Sequence, residues 1–87
     1  MRIKDGFELK KIAGENVVVS SDGTPMRSSI KLTAVTAFMW NTVKRTEASK
    51  EQLLNAVLDN FDISTVLALS DIDIFVKTLK ENGILEE

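Results

Sequence analysis

The sequence predicts an α+β fold, a three-stranded antiparallel sheet followed by a three-helix bundle in a winged-helix-like arrangement. Three observations predict it. Apolar and polar residues alternate with period 2 only up to Leu32, and apolar residues recur with helical spacing after it. The switch falls at Thr33, a residue that caps helices well. No repeat, low-complexity stretch or linker interrupts this order, so residues 1–87 read as one domain with sheet and helices segregated along the chain.

Phe7–Ile12 reads as the first strand, with Phe7 and Leu9 inward and a phase shift at Ile12 that a bulge would explain. Ala13-Gly14-Glu15-Asn16 reads as the hairpin turn, because Gly and Asn tolerate positive φ. Val17-Val18-Val19 is apolar on both faces. It is therefore expected at the centre of the sheet, with helices on one side and the N-terminal segment a candidate cover for the other. After the turn signal Asp22-Gly23-Thr24-Pro25, the third strand is expected over Met26–Leu32. There Met26, Ser28, Ile30 and Leu32 point one way and Arg27, Ser29 and Lys31 the other. A meander of three strands leaves the first and third at the edges.

Such a sheet needs helices over its inward face. Thr33 caps the first over Ala34–Lys44, with Ala37, Trp40 and Val43 on one stripe and Val35 and Met39 beside it. Ser49-Lys50-Glu51-Gln52 is a capping box that opens the second, where Leu53, Val57 and Phe61 recur at i+4. Ser64, or alternatively Asp62, starts the third. Ile72, Phe75, Val76 and Leu79 form its core face, Gly83 ends it, and Ile84 and Leu85 pack back. The single Trp and most of the Phe residues sit at core-facing positions and read as packing rather than as a stacking platform.

Composition narrows the function. With 44% hydrophobic and 28% charged residues the chain is ordinary globular material. It has no cysteine, no signal-peptide pattern and no apolar run near the roughly 18–20 residues that span a bilayer, so a soluble, cytoplasmic protein is expected. The net charge of −2 divides unevenly, about +4 over residues 1–46 and −6 over residues 47–87. Two ordinary solvated faces account for that; so does a basic sheet-bearing half that offers a peptide or an enzyme surface electrostatic guidance. With no His, Cys or Tyr, most nucleophile–base pairs and zinc ligand sets are ruled out, and the four glycines are scattered at turns rather than gathered in a phosphate loop. Asp71 and Asp73, two apart on a helix, do not face each other. An enzyme, a cofactor and a metal site are not expected. Nucleic-acid binding is disfavoured too: Asp71, Asp73 and Glu81 stand against Lys77 and Lys80 on the third helix, and Lys50 against Glu51 and Asp59 on the second.

What remains is a binding module. The succession Gly6-Phe7, Ile12-Ala13-Gly14-Glu15, Val17-Val18-Val19, Ile30-Lys31-Leu32-Thr33 and Ala37-Phe38-Met39-Trp40 resembles the PqqD family (pyrroloquinoline quinone synthesis protein D). Ser49-Lys50-Glu51-Gln52-Leu53, Phe61-Asp62, Asp71-Ile72, Phe75-Val76, Leu79 and Gly83-Ile84-Leu85 extend the likeness from about residue 5 to residue 85. One departure is Leu32-Thr33 where the family often has Leu-Asn, a change between two residues that both cap helices. The resemblance implies a PqqD-like RiPP recognition element without catalysis of its own. Such a module binds the leader segment of a ribosomally made precursor peptide and presents it to a modifying enzyme, often a radical SAM protein. It also implies where: the leader adds as a strand to the third strand, with the third helix as the other wall of the groove.

The residues suit that role. Met26, Arg27, Ser28, Ser29, Ile30, Lys31 and Leu32 form an edge without proline, and Arg27 and Lys31 discourage wrong pairing. Roughly four to six strand hydrogen bonds at about 0.5–1.5 kcal/mol each little more than offset about 2–5 kcal/mol of leader ordering, so apolar anchors must carry affinity. Leu67, Asp71, Ile74 and Thr78 fall on one face of the third helix beside the core stripe, and the core pattern does not require Leu67 or Ile74. Core or dimer packing is the alternative for those two. Asp71 suits a basic residue of the leader and Lys77 an acidic one, an exposed ion pair is equally open to both, and Thr78 reads as a bystander or a minor contact. A structural or regulatory domain that uses the same edge to dimerise or to dock on an enzyme is the alternative function. A monomer or weak homodimer is expected.

Overall fold

The computed structural model describes residues 1–26 and 29–86. In chain order they form β1 (Arg2–Ile3), β2 (Phe7–Ile12), β3 (Glu15–Ser20), β4 (Ile30–Leu32), α1 (Ala34–Arg45), α2 (Lys50–Asn60), α3 (Thr65–Glu81) and β5 (Leu85–Glu86). The expected antiparallel meander is present, in the order β2-β3-β4, with three helices after it.

The β2–β3 hairpin runs in unbroken register from Phe7↔Ser20 to Ile12↔Glu15. There is no bulge at Ile12. Strict alternation puts Phe7, Leu9 and Lys11 on the inward face, and Ile12 falls outward beyond the end of the core, where it is 50% exposed. The turn is shorter than expected: Ala13 (φ 53°) and Gly14 (φ 81°) make the whole connection, and Glu15 and Asn16 belong to β3. Two successive positive φ values are the mark of a type I′ turn, whose twist matches that of the strands it joins.

The third strand differs most from expectation. It was expected over Met26–Leu32, but β4 is the three residues Ile30–Leu32; Met26 and Ser29 are not strand, and Arg27 and Ser28 lie outside the described residues. The reason lies across the ladder. Ser20, the next residue of β3 that would pair toward β4, gives its carbonyl to the Gly23 amide at 3.1 Å. Its hydroxyl and the Thr24 amide both donate to the Asp22 carboxylate. The chain turns away at Ser20, so the pairing stops.

Each helix begins at the residue expected. Thr33 and Thr36 form a reciprocal capping box, as do Ser49 and Gln52, and the Ser64 hydroxyl accepts from the Leu67 amide at 3.2 Å. At the end of α3, Gly83 (φ 70°) lets the Ile84 amide reach back to the Leu79 carbonyl at 2.8 Å, a Schellman closure that buries Ile84 and Leu85.

One feature was not anticipated. Arg2–Ile3 pairs with Leu85–Glu86 in a separate two-stranded sheet, fastened by an ion pair of 2.7 Å between Arg2 Nε and Glu86 Oε2. The N-terminal segment therefore lies against the C-terminus and α1, not over the outward face of the sheet. All these elements surround one core of Val18, Ile30, Met39, Trp40, Val43, Leu53, Val57, Ile72, Phe75, Leu79 and Ile84, with Trp40 and Phe75 wholly enclosed. Among the described residues, no helix is long and apolar enough to cross a membrane.

Candidate functional site

The hydrogen-bond phase of the sheet decides what the β4 edge offers. The Ser21 amide bonds the Gly6 carbonyl, just outside Phe7↔Ser20, and the two-residue turn closes on Ile12↔Glu15. Both place Glu15, Val17 and Val19 as the residues of β3 whose backbone groups face β2. Asn16 and Val18 then face β4, where their partners are Leu32 and Ile30. Lys31, opposite Val17, is left with its N–H and C=O directed away from the sheet. Among the described residues neither group has a partner, and the N-terminal strand β1 is paired with β5 rather than with this edge.

The edge has a defined end. Thr33, next in sequence, gives its N–H to Thr36 Oγ1 at 2.8 Å and its carbonyl to the Ala37 amide at 2.8 Å. The capping box that starts α1 therefore closes the edge on that side. Any added strand is centred on Lys31 and runs toward Ser29 rather than toward the helix. The Lys31 side chain lies on the outward sheet face, 3.0 Å from Glu15 Oε2, in an exposed pair worth no more than about 1 kcal/mol. Ile30 and Leu32 point inward, Ile30 buried and Leu32 half-buried.

The loop before β4 reaches the third helix. Met26, Pro25, Thr24, Asp22 and Phe7 line a depression of about 400 Å³ together with Glu81 and Asn82 at the end of α3. Ser20 and the Thr24 amide hold the Asp22 carboxylate in place and pull its pKa down to about 2. At the other end of the chain, the hydrogen bond and charge of Glu86 raise the pKa of Arg2 above its ordinary value.

On α3, Leu67 (58% exposed) and Ile74 (57% exposed) stand clear of the core, and Asp71 and Thr78 are half-buried beside them. The helical repeat groups these four on one flank. Lys77 is not with them. It lines a depression of about 480 Å³ with Met1, Lys50, Asp73, Val76, Lys80 and Glu81, on the flank that faces α2. Among the described residues, Met26 lies beside Glu81 and Asn82 at the end of α3, and Ile30–Leu32 packs on α1.

Two features escaped the sequence reading. Val66 is 76% exposed and Leu69 37%, so the exposed apolar surface of α3 extends beyond Leu67 and Ile74. The signal was available, since neither falls on the Ile72–Phe75–Leu79 stripe. The role of Thr36 in closing the edge was also legible, as a hydroxyl three residues after a Thr cap. No group of three or more acidic, Cys or His side chains among the described residues could hold a metal ion.

Comparison with known proteins places the fold. The chain superposes on a solved structure described as TbiB1 in complex with the TbiA(beta) leader peptide, with a TM-score of 0.71, 22% identity, and coverage of 99% of this chain and 95% of that one. It also superposes on one described as lasso peptide synthetase B1 complexed with the leader peptide, with a TM-score of 0.69, 17% identity, and coverage of 99% and 96%. At such identities the likeness establishes the fold. No curated protein matches the sequence. The family model described as coenzyme PQQ synthesis protein D (PqqD) matches residues 15–85, from the start of β3 to the first residue of β5, and the chain belongs to the PqqD family.

Proposed function

We propose that this protein binds the leader segment of a ribosomally made precursor peptide as a strand added to the free edge of β4, and presents it to a modifying enzyme, a radical SAM protein being the class implied by the family. The protein does no chemistry itself. One observation carries the reading: the Lys31 N–H and C=O point outward from an edge that no described segment covers. The two solved structures of the same fold, each described as a complex with a leader peptide, support it.

The energetics set what the leader must contribute. With β4 only three residues long and Thr33 committed to its helix cap, the guest gains at most about four backbone hydrogen bonds, from Lys31 and, where the guest extends the ladder, Ser29. At about 0.5–1.5 kcal/mol each these do not exceed the about 2–5 kcal/mol that ordering a flexible peptide costs. Net affinity comes from apolar burial, and Leu67 and Ile74, with Asp71 and Thr78 between them, are the surface we assign to it. Guest residues flanking the one opposite Lys31 point inward, toward Ile30, Leu32 and the helices, so an alternating apolar pattern is required.

The test is a titration of isotope-labelled protein with leader peptides of short precursors encoded beside its gene. Shifts confined to the amides of residues 29–32 and 67–78 support the assignment. A shift of the β4 amides with protein concentration alone, in the absence of peptide, identifies the edge as a dimer contact instead.

A further inference from the structure

The C-terminal half of the chain holds nine acidic residues and only three basic ones, Lys50, Lys77 and Lys80. All three line a single depression of about 480 Å³ between α2, α3 and Met1. Its apolar part is Met1 and Val76, both half-buried. Lys50 is held by Asp73 at 2.6 Å, so its charge is largely answered, and Glu81 stands on the rim. Lys77 is exposed and has no ion pair or hydrogen bond among the described residues. Lys77 thus presents a cation beside a greasy patch on an otherwise acidic half of the chain.

We propose that this depression is a docking site for the modifying enzyme, and that it takes an acidic side chain flanked by an apolar one on an exposed segment of that partner. The identity of the partner rests on the function proposed above; the chemistry of the site does not. Charge complementarity selects the acidic residue, Lys77 being the cation left to meet it, while Met1 and Val76 bury its apolar neighbour. Position selects the enzyme over the leader. Asp73, Lys77 and Lys80 occupy the flank of α3 nearest α2, whereas Leu67, Asp71 and Thr78 lie on the far side of its core stripe. A leader on the β4 edge and a partner on this flank therefore share α3 without competing for it.

The probes are two capped pentapeptides, Leu-Glu-Leu-Asp-Leu and its neutral counterpart Leu-Gln-Leu-Asn-Leu, titrated into the isotope-labelled 87-residue chain. Saturable shifts at the amides of Asp73, Val76, Lys77 and Lys80 with the acidic peptide are expected, with binding about tenfold weaker for the neutral one. Lys77→Glu, an exposed change that spares the fold, abolishes the response. Equal binding of both peptides, shifts spread equally over Lys10, Lys11, Lys44 and Arg45, or an unchanged response in Lys77→Glu overturns the proposal. A leader peptide titrated separately reads the other site. If it moves Lys31 while the acidic peptide leaves the depression silent, docking here is refuted and the β4 reading stands. If the depression responds while Lys31 stays silent, the reverse holds.

Discussion

Proline at position 31 separates the free side of β4 from its paired side. Lys31→Pro removes the outward N–H and puts the pyrrolidine ring where an added strand would lie. The ladder to β3 uses Ile30 and Leu32 and loses nothing, and edge strands tolerate proline. Stability should change by less than about 1 kcal/mol. A leader bound over this edge would leave one of its carbonyls unsatisfied, at about 1–3 kcal/mol, so affinity should fall roughly 5- to 150-fold. Ile30→Pro is the paired control. It takes away an N–H directed at Val18 and a side chain only 5% exposed, a loss of about 3 kcal/mol or more. In a domain of this size each kcal/mol moves Tm by about 4–8 °C, so Ile30→Pro should melt more than about 10 °C lower. Thermal melts by circular dichroism give the stabilities, and fluorescence anisotropy with a labelled leader gives the affinities. If Lys31→Pro unfolds like Ile30→Pro, the hydrogen-bond phase deduced for the sheet is wrong. If it folds and binds as the parent does, the peptide does not add to β4.

Leu67→Ser and Ile74→Ser should each weaken leader binding about fivefold, roughly 1 kcal/mol of lost apolar contact, and shift Tm by no more than a few degrees because both side chains are exposed; a large Tm loss would mark them as core. Ala13 sits at φ 53°, where a non-glycine residue is strained, so Ala13→Asn should raise stability by about 0.5–1 kcal/mol in a denaturant melt, and a loss would contradict the type I′ assignment. Asp22 has a folded pKa of about 2, below its ordinary 3.8. Its contribution is therefore complete above about pH 4 and lost as pH falls toward 2. Carbon-detected titration of its carboxyl should give a midpoint near 2, and one near 4 would mean that the Ser20–Asp22–Thr24 turn does not hold in solution.

The helices were legible because their start and stop signals are local. Thr33, Ser49 and Ser64 each satisfy amides within three residues, and Gly83 supplies the one φ that the closure of α3 needs. The meander was legible from alternation and one turn. The length of β4 was not, since it is set by Ser20 turning its carbonyl to Gly23 on the neighbouring strand, an event that the Met26–Leu32 alternation does not record. Arg2–Ile3 and Leu85–Glu86 are too short to show any period, and their pairing joins the two ends of the chain. For the site, the surplus of Leu67 and Ile74 over the core pattern could be read from spacing. The departure of Lys77 to the α2 flank could not, because it depends on where α2 and Met1 lie.

Amide hydrogen exchange at Lys31, followed by NMR with and without a leader peptide, tests the central claim most directly. In the free protein Lys31 should exchange quickly while Ile30 and Leu32 on either side are protected, and the peptide should bring Lys31 into line with them. A Lys31 amide already protected in the free protein, or one that a bound leader leaves unprotected, would contradict strand addition at β4.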